Sequence, residues 1–189
     1  MTAVGQHVPG AATVVAVSSD GDHRFSKVPV PSIVLVEGFG VEGDAHGGST
    51  VQHRSRVARD PSQPNLRQVH LMPSEFLDVA REHGFDVSAG DLGENILTRG
   101  IDLTGLGRDT LLHLGPDAVV RVTGLRNPCV QIDAFRTGLL ALAVRRDASG
   151  DIMRAAGVMS VVVQGGVVSG TDAIVAEPPP TGHVPLEVV

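Results

Sequence analysis

One cysteine, Cys129, and one lysine, Lys27, occur in 189 residues, and no apolar run approaches the roughly 18 residues needed to span a bilayer. Each scarcity excludes something. A single cysteine forms no internal disulfide, so nothing points to an oxidising compartment, and the thiol is free unless it binds something. The eight histidines contain neither an H-E-x-x-H nor an H-x-x-x-H pairing, so a conventional zinc site is not expected. The opening "MTAVGQHVPG" has neither the basic patch nor the apolar stretch of a signal peptide, and the expected location is the cytoplasm, without membrane attachment. Positive charge is also short: the net charge of −6 argues against general nucleic-acid binding. The preference for arginine over lysine accompanies richness in Ala, Gly and Val and is given no functional weight.

What is present reads as short strands. Apolar, β-branched runs lie between turn signals at 12–18, 32–37, 67–72, 95–98, 110–114, 119–125, 158–164 and 172–177, each of strand length. Two segments have helical spacing instead. Ser74 is the expected N-cap of a helix carrying Phe76, Val79, Ala80 and His83, which Gly84 stops. A second helix is expected from about Gln131 to Arg146, with Ile132, Phe135, Leu139, Leu140 and Ala143 on one face and Arg145 and Arg146 at the negative end of the dipole. About eight strands and two helices without regular alternation predict one mainly β domain, a β-barrel with a few helices packed on it. The segment 177–189, beginning "EPPPTGHVP", reads as an extended arm or surface strap.

Four stretches carry candidate chemistry. "GFGVEG" (38–43) matches the dinucleotide fingerprint, but the two glycines and absent apolar face that follow argue for a flexible loop rather than a strand-to-helix turn. Asp44 and His46, two residues apart in an extended segment, point the same way and can grip a metal or polar ligand; the commoner role is an Asp bonding to nearby backbone amides. In "GDLGEN" (90–95), Glu94 and Asn95 stand between special glycines and an apolar run, more polarity than a turn requires. In "RNPC" (126–129), Pro128 stiffens the turn that presents Cys129, and Arg126 with the following helix start favours the thiolate, a nucleophile or soft-metal ligand. A lone cysteine is otherwise most often a small buried hydrophobe.

Taken in order, "GVEGDAHGG", "RQVHLM", "GDLGENILTRGIDL", "RNPC" and "GGVVSGTDAIV" make the sequence resemble the MOSC domain family, relatives of the C-terminal domain of molybdenum cofactor sulfurase, over about residues 36–176. The standalone bacterial type is the nearer likeness. The resemblance implies one domain over 1–189, with a barrel similar to the β-barrel domain of pyruvate kinase, and binding of a molybdopterin-type molybdenum cofactor. It implies that the thiolate of Cys129 ligates molybdenum. It further implies reduction of small N-hydroxylated or related N-oxygenated compounds with electrons from a separate donor protein. By position, Asn95 and Arg126 are implied cofactor contacts, as are Asp44 and His46, between which Ala45 replaces the family's common arginine. Glu94 belongs to the same motif set. A pterin phosphate and an oxo-metal centre also want fork-shaped donors; of Arg54, Arg56, Arg59 and Arg67, Arg67 is the preferred candidate. Two other functions stay open: a persulfide-carrying sulfur-transfer protein, and a cofactor carrier without turnover. Oligomeric state is left open.

Overall fold

The computed structural model describes residues 11–52, 57–146 and 148–189; the opening decapeptide read above, and Arg54 and Arg56, lie outside them. Strands dominate. An eight-stranded sheet runs in the order β13-β7-β8-β11-β5-β6-β1-β2, where β1 is Thr13–Ser19, β2 Val28–Val30, β5 Val69–Pro73, β6 Ile96–Arg99, β7 Leu111–Leu114, β8 Ala118–Leu125, β11 Val158–Gln164 and β13 Ile174–Glu177. A three-stranded sheet, β12 (Gly166–Ser169), β3 (Ser32–Val36) and β4 (Gly40–Val41), lies against it, and β9 (Val144–Arg146) pairs with β10 (Ile152–Arg154) as a separate hairpin. All pairings are antiparallel except β5 with β6, which α1 (Ser74–Glu82) connects as a crossover.

The expectation of a mainly β chain holds, whereas a closed barrel does not emerge. The ladder ends at β13 and β2, and the nearest approach to closure is a bridge between Thr13 and Ala173, flanked by bonds from Val14 N to Asp172 O and from Ile174 N to Ala12 O, each 2.8 Å. Among the described residues no helix is long and apolar enough to cross a membrane.

Alternation along the strands builds two cores. In β5, Val69 and Leu71 enter a core that also holds Ile96, Val120, Val122 and Val158, while Met72 enters a second core on the opposite face beside Leu97, Phe76 and Leu77. With both faces of β5 and β6 covered, these strands need the nearly unbroken apolar runs that the sequence shows. His70 is the polar exception within β5.

Three expectations need correction. The N-cap of α1 is Pro73, not Ser74, whose hydroxyl is buried without a partner. The helix expected over 131–146 is two short pieces, α2 (Gln131–Phe135) and α3 (Leu140–Ala143), with Arg145 and Arg146 in β9. Gly138, at φ +93°, turns the chain between them, and Asp133 Oδ1 accepts the amides of Gly138 (3.2 Å) and Leu140 (2.9 Å). The apolar face survives the break, since Ile132, Leu139 and Ala143 are all buried in the second core. "GFGVEG" is neither a flexible loop nor a strand-to-helix turn; it joins β3 to β4 as a hairpin, with Gly40 backed closely on Gln68.

Two tight approaches fix the "RNPC" segment. The tail runs over β8, where Leu125 N donates to Glu187 O (2.7 Å), Leu125 bridges Val188, and a side chain at Gly124 would meet Val189 Cγ1 at 2.6 Å. Gly157, at φ +85°, accepts the amide of Arg126 (3.0 Å) and leaves no room for a Cβ beside the Leu71 carbonyl. Gly157→Ala combines left-handed strain with a backbone clash, so it should destabilise the fold by roughly 2 kcal/mol or more and lower the thermal midpoint by about 5 °C or more. An unchanged midpoint in calorimetry would show that β5 and β11 do not need this approach.

Candidate functional site

Where β8 ends, the chain alternates in burial: Arg126 in, Asn127 out, Pro128 in, Cys129 out. The buried proline anchors the turn and Cys129 stands exposed, its thiol donating to Gln131 Oε1 at 3.3 Å. Because α2 has only five residues and begins two positions later, little helix dipole acts on the sulfur; the dipole argument for its ionisation is corrected accordingly.

Cys129 borders a cleft of about 620 Å³. Of the residues singled out in the sequence, Arg67, His46, Asn95 and Arg126 line it too, whereas Asp44 and Glu94 do not. Arg59 is exposed and lies outside the lining. Sequence reasoning missed Lys27, His70, Arg24 and His23, all on the walls. Among the described residues the lining thus has four Lys or Arg side chains and three histidines with no Asp or Glu, in a chain whose net charge is −6.

Asp44 lies just behind this wall as a buried hub. The expectation that it points the same way as His46 is corrected: the segment turns, and the Asp44 carboxylate faces inward. Its Oδ2 accepts from Lys27 Nζ (2.5 Å), Asn95 Nδ2 (3.0 Å) and the Asp20 amide (3.3 Å). Oδ1 accepts the His46 amide (2.9 Å) and faces His46 Nδ1 (3.3 Å), which orients the imidazole with its proton on Nδ1. Burial alone would raise the Asp44 carboxyl; the hydrogen bonds from His46 and the charge of Lys27 outweigh it and hold the group well below the usual carboxylate range. Burial pushes the Lys27 ammonium down, and Asp44 opposes that shift.

Asn95 ties three strands together. Its amide Nδ2 donates to Ser18 O (3.2 Å) as well as to Asp44, and its Oδ1 accepts the His70 amide (3.2 Å). Both amide protons are therefore engaged within the protein. His70 Nε2 donates to Ala156 O (2.8 Å), and burial followed by the nearby charge of Arg126 holds the imidazole neutral, far below its ordinary value.

Arg126 is buried, and its Nη1 has no hydrogen-bond partner. Burial lowers its guanidinium, while Glu94 and Cys129 pull the other way. Glu94 is in the reciprocal position: Oε1 accepts the Gly90 amide (2.5 Å), Oε2 has no partner, and burial raises the carboxyl to about 7. Two buried polar atoms without partners, Arg126 Nη1 and Glu94 Oε2, mark a place able to take further polar contacts. Among the described residues no group of three or more His, Cys, Asp or Glu is gathered for a metal, so a metal held here relies on the thiolate and on its own non-protein ligands.

A sequence profile of the MOSC domain matches residues 42–175, and the protein belongs to that family, whose domains are associated with binding of the molybdenum cofactor. YuaD of Bacillus subtilis has a similar solved structure, with a TM-score of 0.70 and 21% identity over 87% of this chain and 94% of its own. YiiM of Escherichia coli gives a TM-score of 0.58 at 20% identity over 90% and 72% of the two chains, and YiiM of Geobacillus stearothermophilus gives 0.56 at 19% over 91% and 76%. At these identities the likeness is one of fold. No curated protein matches the chain.

The raised Glu94 makes a sign-specific prediction. The folded chain holds this proton more tightly than the unfolded one, so the associated stability is fully present below about pH 4.5 and is lost as pH rises through about 7. Relative to wild type, Glu94→Gln should be nearly neutral at pH 4 and stabilising at pH 8 by roughly 3 kcal/mol. Denaturant titrations at the two pH values check this, and equal differences at both would show that Glu94 titrates normally.

Proposed function

We propose that the protein is an oxidoreductase that binds the molybdenum cofactor and reduces small N-hydroxylated or related N-oxygenated compounds, with the Cys129 thiolate as the molybdenum ligand. The observation that carries this reading is Arg126, a lining residue with a buried, unpartnered Nη1, in a cleft whose described lining has no carboxylate, three residues from the only thiol. An anionic pterin phosphate or oxo group suits a guanidinium with an N–H group to spare, and a thiolate suits a soft-metal interaction. The residues present therefore fit the cofactor that the family implies.

When bound, the cofactor supplies a two-electron redox centre able to accept oxygen from nitrogen. The remaining work belongs to the chain. Arg126 offers a planar, permanently charged fork from a buried and hence rigid position, and Arg67 adds a second guanidinium on the same cleft. Neutral His70 contributes no charge that would compete with a bound cation. His46, its Nδ1–H held by Asp44, lines the cleft, where its other ring nitrogen can accept a hydrogen bond from an N-hydroxyl group. Electrons would come from a separate donor protein.

Protein isolated from a host that makes the cofactor provides the test. Cys129→Ser should abolish N-reduction and weaken metal retention without altering the fold, because serine is not ionised near neutral pH and is a hard ligand. Arg126→Ala should lower molybdenum and pterin content. Arg126→Lys should do so nearly as much if the planar fork matters, and less if charge alone matters. Full activity in Cys129→Ser would remove the ligand role. Cyanide-releasable sulfur without molybdenum would favour the persulfide function, and cofactor without turnover the carrier.

A further inference from the structure

A second cleft, of about 530 Å³, opens beside the first and shares Arg24, Phe25, Lys27 and Gln131 with it. Of the walls it does not share, Phe135 and Ala134 on α2 and Val28 on β2 are apolar, and Asp20 and Ser26 form a polar edge. The chain has no tryptophan or tyrosine and only five phenylalanines, and two of the five meet here, with ring centroids 5.8 Å apart and planes tilted by 40°. Phe25 and Phe135 pack partly against the second core yet remain half-buried, and Val28 is 56% exposed. Gln131, which receives the Cys129 thiol, stands on the border between the two clefts.

We propose that this second cleft is a recognition subsite for the flat aromatic ring of the substrate, placed so that a polar N-hydroxyl end can extend past Gln131 toward Cys129. The volume lies within the range of small-molecule sites, and two phenylalanine walls favour an uncharged ring over an alkyl chain because ring pairs gain from offset or edge contacts beyond their buried area. Continuity with the thiol-bearing cleft, rather than exposure alone, selects a small molecule as the occupant. The inference rests on the proposed reductase reading for its choice of substrate, but the binding it asserts is measurable without turnover.

The experiment compares two N-hydroxyamidines, one bearing a phenyl group and one a methyl group, by calorimetric titration of the purified full chain. The phenyl compound should bind about tenfold or more tightly, the difference expected from burying a ring. Ala134→Arg, at an exposed helix position, should fill the cleft and bring the ratio close to one, with the thermal midpoint and the molybdenum content unchanged. Phe135→Leu keeps an apolar side chain and should reduce the ratio severalfold. A wild-type ratio near one, or a ratio that survives Ala134→Arg, overturns the subsite. A change in sedimentation of Ala134→Arg with ligand preference intact would make the cleft a contact between copies and likewise overturn it. Ring preference in protein that carries no molybdenum would leave the subsite standing while removing the cofactor reading, so the two failures are distinguishable.

Discussion

The Asp44 carboxylate holds the site together. From a buried position it accepts from Lys27, Asn95, His46 and the amide of Asp20, so it joins the end of β1, the approach to β2, the turn after β4 and the mouth of β6. Asn95 passes the constraint on to β5 through the His70 amide. Removing one partner from such a buried pair leaves an uncompensated charge, at a cost of about 3–5 kcal/mol, so the elements it joins are locked to each other. The consequence reaches the cleft. With Asp44 already satisfied behind the wall, no carboxylate of the described residues lines the cleft, and the charged groups an anion meets there are cations.

The unpaired charges complement that arrangement. Lys27 is neutralised by Asp44, and Arg24 is paired with Asp22 at 2.5 Å, so neither is the principal attraction for a ligand. Arg126 is different. It is buried, its backbone is held by the Gly157 carbonyl, and its Nη1 has no hydrogen-bond partner. A buried guanidinium with one N–H group left without a partner favours an incoming anion that can satisfy it. The thiol three residues on is exposed, because Pro128 takes the buried position between them.

Much of the sheet was legible because β-branched runs between glycine turns have few alternatives; the run 158–164 coincides with β11, and most of the others shift by one or two residues. The strands that escaped, β2, β4, β9, β10 and β12, have two to four residues each, too few for an alternation to register, and their pairing with neighbouring strands defines them. The second helix misled because two short helical pieces on either side of Gly138 preserve a helical apolar period through their common packing on one core. In the site, motif order led to Arg126, Cys129, Asn95, His46 and Arg67, which share one cleft, and to Asp44 and Glu94, which lie behind it. Lys27 was passed over as a compositional accident. A lone lysine has no period or spacing, and its part in the site arises from burial against Asp44, which only the tertiary structure reveals.

The central claim is that this cleft holds a molybdenum–pterin group against Cys129 and Arg126. Wild-type protein purified from a host competent to make that cofactor, analysed for molybdenum and released pterin per chain, tests it most directly. The account predicts about one molybdenum and one pterin per chain. Protein that is folded and monodisperse but contains neither would contradict it.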